Sequence, residues 1–572
     1  MKFSVWAPLA KASVELVCAQ ERFPMRADAE GHWSVECTPA GLPQGYRYSL
    51  DGGPPLPDPR SAWQPKGLHG PSFLIDDSEL KVITGSGFRP KPLRSAVIYE
   101  MHIGTFTPEG TYAAAAAKLP YLASLGISHL EIMPLASFPG AHGWGYDGVY
   151  LYAPQPSYGT PLELARFIAQ CHAHGLAVLL DVVYNHLGPD GNYLSRFAPY
   201  FTDRVKTAWG DAVNYDGPDS DGVRQFVIDN ARRWLDVYGF DGLRLDAVHA
   251  MFGFEAVHVL EELASALQAW AAAADRSIVL IAESDLNDPR LIHSPARGGY
   301  GLDAHWADDF HHALHRVVTD EASGYYADFH GIEDLATAIR DGYVYQGQHS
   351  LYRRRRHGRT PLEVRPEQLV VSAQNHDQIG NRAQGERLSM LLKPAQLQAV
   401  AALTLLSPFV PLLFQGEEWG ATTPFLYFTD HQDEQLGELV AAGRRKEFAS
   451  FGWHSEVPDP QAATTFARSR LNWAEQTEPA HQELLSWYRR LIALRSRISH
   501  CAPRVADVAF DVAASWLSFT NGDLCIAVNF AARAVPFSLP ENQWQQELSS
   551  VRQVPGPGRL GPYETRIYRQ RR

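Results

Sequence analysis

The stretch GFDGLRLDAVHA, Gly239 to Ala250, sets Arg244 and Asp246 beside the apolar Leu243 and Leu245. In an extended strand successive side chains point to opposite faces. Leu243 and Leu245 therefore share one face, and Gly242, Arg244 and Asp246 share the other. A strand that is apolar on one side and carries a cation and a carboxylate on the other needs two different surroundings. A closed barrel of parallel strands supplies them. Helices cover its outside, the lumen takes the inward side chains, and polar groups at the C-terminal strand ends line the mouth.

The flanking sequence repeats a strand-then-helix rhythm. SAVIYEMHIGTF (residues 95–106) precedes the helical AAAAAKLPYLASLG, and SHLEIMPLASF follows. LELARFIAQCHAHG leads into LAVLLDVVYNH, and VRQFVIDNARRWLDVYG leads into the opening stretch. SIVLIAESDLND, LVVSAQNHDQIGN and PFVPLLFQGEEWG continue the series. Strands alternating with helices imply parallel pairing through right-handed crossovers, and the length suits a (β/α)8 TIM barrel. An open doubly wound sheet is the alternative, but no GxGxxG follows the first strand. Residues 1–90 read instead as short strands punctuated by Gly and Pro, an N-terminal β-sandwich of the immunoglobulin-like kind. Residues 91–495 then form the catalytic barrel and residues 496–572 a C-terminal β domain, so the fold class is multidomain.

Composition narrows the function. The chain of 572 residues has a formal net charge of −13, and its one basic run is Arg353 to Arg356, which reads as a solvated loop. Phosphate binding needs a broad basic surface, so no nucleic-acid partner is expected. No stretch of about 20 apolar residues is present, so no membrane partner is expected either. Cys18, Cys37, Cys171, Cys501 and Cys525 are scattered, odd in number and form no CxxC or Cys/His cluster. A disulfide framework and a zinc site are both unsupported, and the chain reads as cytoplasmic.

Three predicted strand ends carry an acid: Asp246 in GLRLD, Glu283 in VLIAE and Asp377 in AQNHD, with Asp181 deeper in its strand. Taken singly, each reads equally as the buried partner of an arginine. Crowded together they are costly unless one is protonated or they hold a cation. Retaining glycoside hydrolysis uses such a set, one carboxylate attacking the anomeric carbon and a second, protonated, feeding the leaving oxygen. Arg244, on the same face as Asp246, would keep that carboxylate ionised, while the apolar surroundings of Glu283 would raise its pKa as a general acid requires. His186 and His376 would hydrogen-bond sugar hydroxyls. A single histidine is more often structural, but Asn185-His186 and Asn375-His376 both stand beside strand-end acids. No HxH or HExxH spacing supports metal ligation.

DVVYNH, GLRLDAVH, IAES and QNHD stand in the order of the four motif regions of the α-amylase family of glycoside hydrolases, and the chain resembles that family. The resemblance implies that Asp246 is the nucleophile, Glu283 the acid/base and Asp377 the transition-state stabiliser. It makes Arg244, His186 and His376 sugar-site residues and puts Tyr146, in GWGYDG, under the reacting ring. The stretches FPGAHGWGYDGVYLYAP, HWADDFHHALH and QNHDQIGNRAQGERLS are similar to the branch of the family that takes maltooligosyltrehalose, an α-glucan oligosaccharide ending in trehalose, and cuts the α-1,4 bond next to the trehalose unit. That likeness marks Asp308, Asp309, Phe310, His311 and His312 as part of the substrate cleft, together with Asn375, Gln378 and Asn381. Read without it, DDFHH is a polar strand end or loop. Many α-amylases carry Lys-His where this chain has His249 and Ala250, which makes His249 a candidate on the leaving-group side. Asn185 matches a calcium-ligand position of some amylases, but no second carboxylate-rich loop accompanies it, so no metal and no cofactor are expected. A glucan-branching transferase or a generic α-amylase-type hydrolase is the alternative within this chemistry. A non-catalytic carbohydrate-binding protein is a third reading, opposed by the complete acid triad.

Overall fold

The computed structural model describes residues 1–85, 87–207, 209–450, 457–498, 507–540, 543–551, 556 and 558–571. Cys501 lies outside the described residues; the other four cysteines are free thiols.

Eight parallel strands close a barrel in sequence order: β1 (Ile98–Met101), β2 (His129–Ile132), β3 (Ala177–Val182), β4 (Gly242–Leu245), β5 (Val279–Ala282), β6 (Ala304–Trp306), β7 (Leu369–Ser372) and β8 (Val410–Phe414). All their residues are buried, because helices cover the outside and side chains fill the lumen. Leu243 and Leu245 face outward into the large core shared with the helices. Leu179, Ile281, Trp306, Val370 and Leu412 form a separate cluster in the lumen. Asp181 pairs in register with Arg244 across β3 and β4, so both enter the lumen side by side.

Strand β6 breaks the expected pattern. It has three residues, one of them His305, and pairs through two positions on each side, too short and too polar to stand out as an apolar run. DDFHH is therefore neither a strand end nor a loop. It opens the helix Asp308–Thr319, with two acids in the first turn, where the helix dipole favours them. The long alanine-rich segment also differs from one continuous helix. It splits into Tyr112–Ala116 and Leu119–Leu125, because Pro120 has no N–H to donate back and fits only in a first turn. The Arg353–Arg356 run belongs to a hairpin, Gln346–Ser350 with Arg355–Gly358. Arg354 to Arg356 are exposed, but Arg353 turns inward and pairs with Asp285 at 2.9 Å.

Two three-stranded antiparallel sheets precede the barrel: Lys2–Trp6, His32–Glu36 and Arg26–Ala27 in one, Glu21–Pro24, Val14–Cys18 and Arg47–Leu50 in the other. Phe3 meets Tyr46 edge-on between them, ring centres 5.4 Å apart. The C-terminal region forms a five-stranded antiparallel sheet, with Leu524–Asn529 flanked by Trp516–Asn521 and Thr565–Gln570. No helix among the described residues is long and apolar enough to cross a membrane.

Candidate active site

Arg244 is the centre of the barrel mouth. Fully buried, it donates from Nη1 to Asp181 Oδ1 and Oδ2 at 3.0 and 2.9 Å and to Asp246 Oδ1 at 2.7 Å. The ring of Trp306 lies over the guanidinium, 4.3 Å from its carbon, which holds a desolvated cation in place. Asn185 Nδ2 donates to both Asp246 Oδ2 and the Asp246 carbonyl at 2.7 Å, and its Oδ1 faces His186 Nδ1. The asparagine that the resemblance links to calcium is thus engaged in holding the Asp246 carboxylate.

Asp246 is buried and Glu283 mostly so, yet their acidities diverge. Burial pushes Asp246 upward, but the Arg244 charge, His186 and the hydrogen bonds from Asn185 and Arg244 outweigh it, leaving Asp246 below the usual carboxylate range. Burial pushes Glu283 upward too; Arg244 opposes this, but its Nη2 stands 3.6 Å away, and Asp246 and Asp377 add repulsion. The net shift of Glu283 is upward. Two neighbouring carboxyls whose pKa values are pushed apart, one down and one up, suit the division of roles in acid-assisted displacement. The Ala247 N–H donates to Glu283 Oε2 at 2.6 Å, and Ala247 itself sits at φ 39°, a left-handed conformation costly for a residue with a Cβ. That turn links the two acids directly.

Tyr146 joins the remaining members. Its hydroxyl donates to Asp181 Oδ2 at 2.6 Å and meets His376 Nε2 at 2.7 Å, while its carbonyl pairs with His186 Nε2 at 2.9 Å. The Tyr146 and His376 rings stack, with centres 5.2 Å apart. Burial opposes charge on His376, but Asp377, 3.4 Å from Nε2, and Glu100, bonded to Nδ1, raise its pKa to about 9. Asp181 is driven by burial up to about 7 in spite of Arg244. Tyr146, His186, Asp246, His249, Glu283, His376, Asp377 and Asn381 line one open cleft of about 290 Å3.

The other expected site residues are not among those lining that cleft. Asp309 accepts N–H bonds from Asn287, Val344 and Tyr345 at 2.6–2.9 Å and ties a loop to its helix. Phe310 is core, His311 bridges the Ala373 carbonyl and the Tyr326 hydroxyl, and His312 packs against Tyr325. Of DDFHH, Asp308 alone interacts electrostatically with Glu283 and Asp377; with burial, that repulsion pushes its pKa well up. Asn375 caps the helix His376–Gly380 by accepting from the Gln378 N–H at 2.9 Å, which fixes where His376 and Asp377 point. Gln378 accepts from the Tyr325 hydroxyl at 3.4 Å.

The cleft also has walls that motif reading passes over: Trp144, Asp147, Trp209 and Tyr427. Trp144 and Asp147 flank Tyr146 in sequence, so their neighbourhood was a usable signal. Trp209 stacks on His186 with ring centres 4.3 Å apart and planes within 7°. Nothing in its polar surroundings announces it.

A parallel (β/α)8 barrel whose β4 and β5 ends pair an arginine-held carboxylate with a second carboxyl of raised pKa is the framework of a glycosidase of the α-amylase class. The family model for the alpha amylase catalytic domain matches residues 79–209. Malto-oligosyltrehalose trehalohydrolase from Rhizobium sp. (strain M-11) is 48% identical over 94% of this chain and 92% of its own length. The enzyme of the same name from Saccharolobus solfataricus is 40% identical over 93% and 91%. A crystal structure from Salmonella typhimurium, provisionally named alpha amylase, superposes with a TM-score of 0.90 at 37% identity, covering 100% of this chain and 97% of its own. The chain belongs to the malto-oligosyltrehalose trehalohydrolase family.

Proposed function

We propose that this chain is a retaining glycoside hydrolase of trehalose biosynthesis that cleaves the α-1,4-glucosidic bond next to the terminal trehalose unit of maltooligosyltrehalose, releasing trehalose and a maltooligosaccharide. The observation that carries the mechanism is the split between Asp246, whose pKa is lowered, and Glu283, whose pKa is raised, across one turn of backbone. Asp246 attacks the anomeric carbon of the glucosyl unit while Glu283 gives its proton to the departing trehalose oxygen. A water then yields a proton to the Glu283 carboxylate and its oxygen attacks the same carbon, which frees Asp246. Asp377 faces the charge that develops on the ring, and Tyr146, His186, Arg244 and His376 hold the sugar and the carboxylates.

Selectivity for trehalose belongs to the leaving-group side, where two 1,1-linked rings present hydroxyls but no reducing end. His249 and Asp308 flank Glu283 there, and polar groups matched to those hydroxyls would be left unpaired by a plain maltosyl unit. The chemistry falls within residues 91–495, with the terminal β regions 1–90 and 496–572 as its supports. The free Cys18, Cys37, Cys171 and Cys525 suit a reducing cytoplasm.

Digesting maltooligosyltrehalose and identifying the small product tests this reading; trehalose is expected to dominate. Equal kcat/KM on a plain maltooligosaccharide of the same length would reduce the protein to a generic amylase. New α-1,6 linkages without new reducing ends would make it a branching transferase.

A further inference from the structure

Below the reacting carboxylates lies a layer of lumen side chains that the mechanism above does not use. TIM-barrel lumen layers draw on alternate strands. Here β2 contributes Glu131, β4 Arg244 and β6 Trp306, all facing inward. Glu131 is 1% exposed, and neither of its carboxyl oxygens has a hydrogen-bond partner among the described residues. Two donors of Arg244, Nε and Nη2, and the Trp306 Nε1 are likewise buried without a hydrogen bond; Nη2 is 3.6 Å from Glu283, beyond hydrogen-bond reach. Three orphan donors and two orphan acceptors in one enclosed layer are complementary. Buried polar groups of this kind cost about 1–3 kcal/mol each when unmet, and a bridging water that finds two to four of them is the usual resolution.

We propose that Glu131 is a positioning residue for Arg244, receiving through interior water the guanidinium edge that Asp181 and Asp246 leave free. Arg244 reaches Asp181 and Asp246 through Nη1 alone, so a second anchor on its opposite edge decides whether Nη1 stays between the two carboxylates. The titratable and charged groups that act on Glu131 are Glu100 on β1, Asp181 on β3, Arg244 on β4 and His376 beyond β7. Burial and the repulsion of Glu100 drive Glu131 strongly upward, which weakens its pull on the arginine's charge relative to Asp246.

This inference rests on Asp246 being the nucleophile, which Asp246→Ala tests separately: an active Asp246→Ala enzyme overturns that reading whatever Glu131 does. Glu131→Gln keeps a neutral polar end of the same shape, and its kcat should stay within about threefold of the parent with an unchanged pH profile. Glu131→Leu removes both acceptors; kcat should fall at least about tenfold with KM within about twofold, and the acidic limb of kcat/KM should move to higher pH as Arg244 drifts from Asp246. A merely structural role would lower the melting temperature of Glu131→Leu but leave the pH profile of the folded enzyme in place, and that result would overturn the proposal. Loss of more than about tenfold in Glu131→Gln would also overturn it, and would do so even if Glu131→Leu failed to fold.

Discussion

The ends of β4 and β5 are neighbours with similar side-chain exposure and opposite electrostatics. At the end of β4, Asp246 receives Arg244 and Asn185 directly, and these with His186 overcome its desolvation. At the end of β5, Glu283 receives one backbone N–H and sees the same arginine at 3.6 Å, so burial wins. The difference teaches that in this mouth charge is assigned by direct contacts, the guanidinium's first among them, and not by depth. A single cation turned toward one strand end helps hold the carboxyl there below its usual range and leaves the next one raised.

The largest expected effect breaks the pair itself. Asp246→Ala and Glu283→Gln should each lower kcat on maltooligosyltrehalose by several orders of magnitude, with unchanged far-UV spectra. A substrate whose leaving group departs without a proton, such as a maltooligosyl fluoride, separates the roles. Glu283→Gln should still form its glycosyl intermediate from the fluoride, and Asp246→Ala should not. Activity of both variants on the fluoride, or of neither, would erase the contrast between the strand ends.

Removing the cation comes next. Asp246 must be ionised and Glu283 protonated, so kcat/KM rises with pH as Asp246 loses its proton and falls as Glu283 loses its own. Without Arg244 the depressed Asp246 rises, and the acidic limb must shift to higher pH. Arg244→Gln should show that shift along with a loss of roughly 100-fold or more in kcat. An unshifted acidic limb would mean that another group governs it.

Substrate choice is a smaller effect. Plain maltooligosaccharides should be cut at least about tenfold less efficiently than maltooligosyltrehalose of equal length, a difference of ~1.4 kcal/mol in transition-state binding. Asp308→Asn should narrow that gap more than it lowers the rate on plain maltooligosaccharide. Its neighbour supplies the contrast. Asp309→Ala strands three N–H donors and should destabilise the fold by about 1–3 kcal/mol, seen in thermal melts, while leaving the substrate ratio unchanged.

The same pair marks how far sequence carries. A run such as AVLLDVV announces a strand because a barrel buries both its faces, and the acid at a strand's end follows from the register. Arg244 beside Asp246 was therefore legible, as was the apolar approach to Glu283. Strand β6 was not, since three residues with a histidine among them leave no pattern to read. Without β6 the start of its helix was unknown, and helical phase depends on the start. That Asp308 feels the charges of Glu283 and Asp377 while Asp309 is bonded to a loop is a matter of one residue's rotation. Trp209 shows a second limit, because a stacking partner brought in by a hairpin has no local signature. Long-range pairs such as Glu100 with His376, 276 residues apart, likewise exist through barrel closure alone.

The most direct test of the unequal pair is proton NMR of the first turnovers on maltooligosyltrehalose. Two displacements at one carbon, the first by Asp246 and the second by water that Glu283 activates, require the new reducing end of the maltooligosaccharide to appear first as the α-anomer, alongside free trehalose. An initial β-anomer would mean a single displacement by water, with Asp246 acting as a base, and would contradict the account.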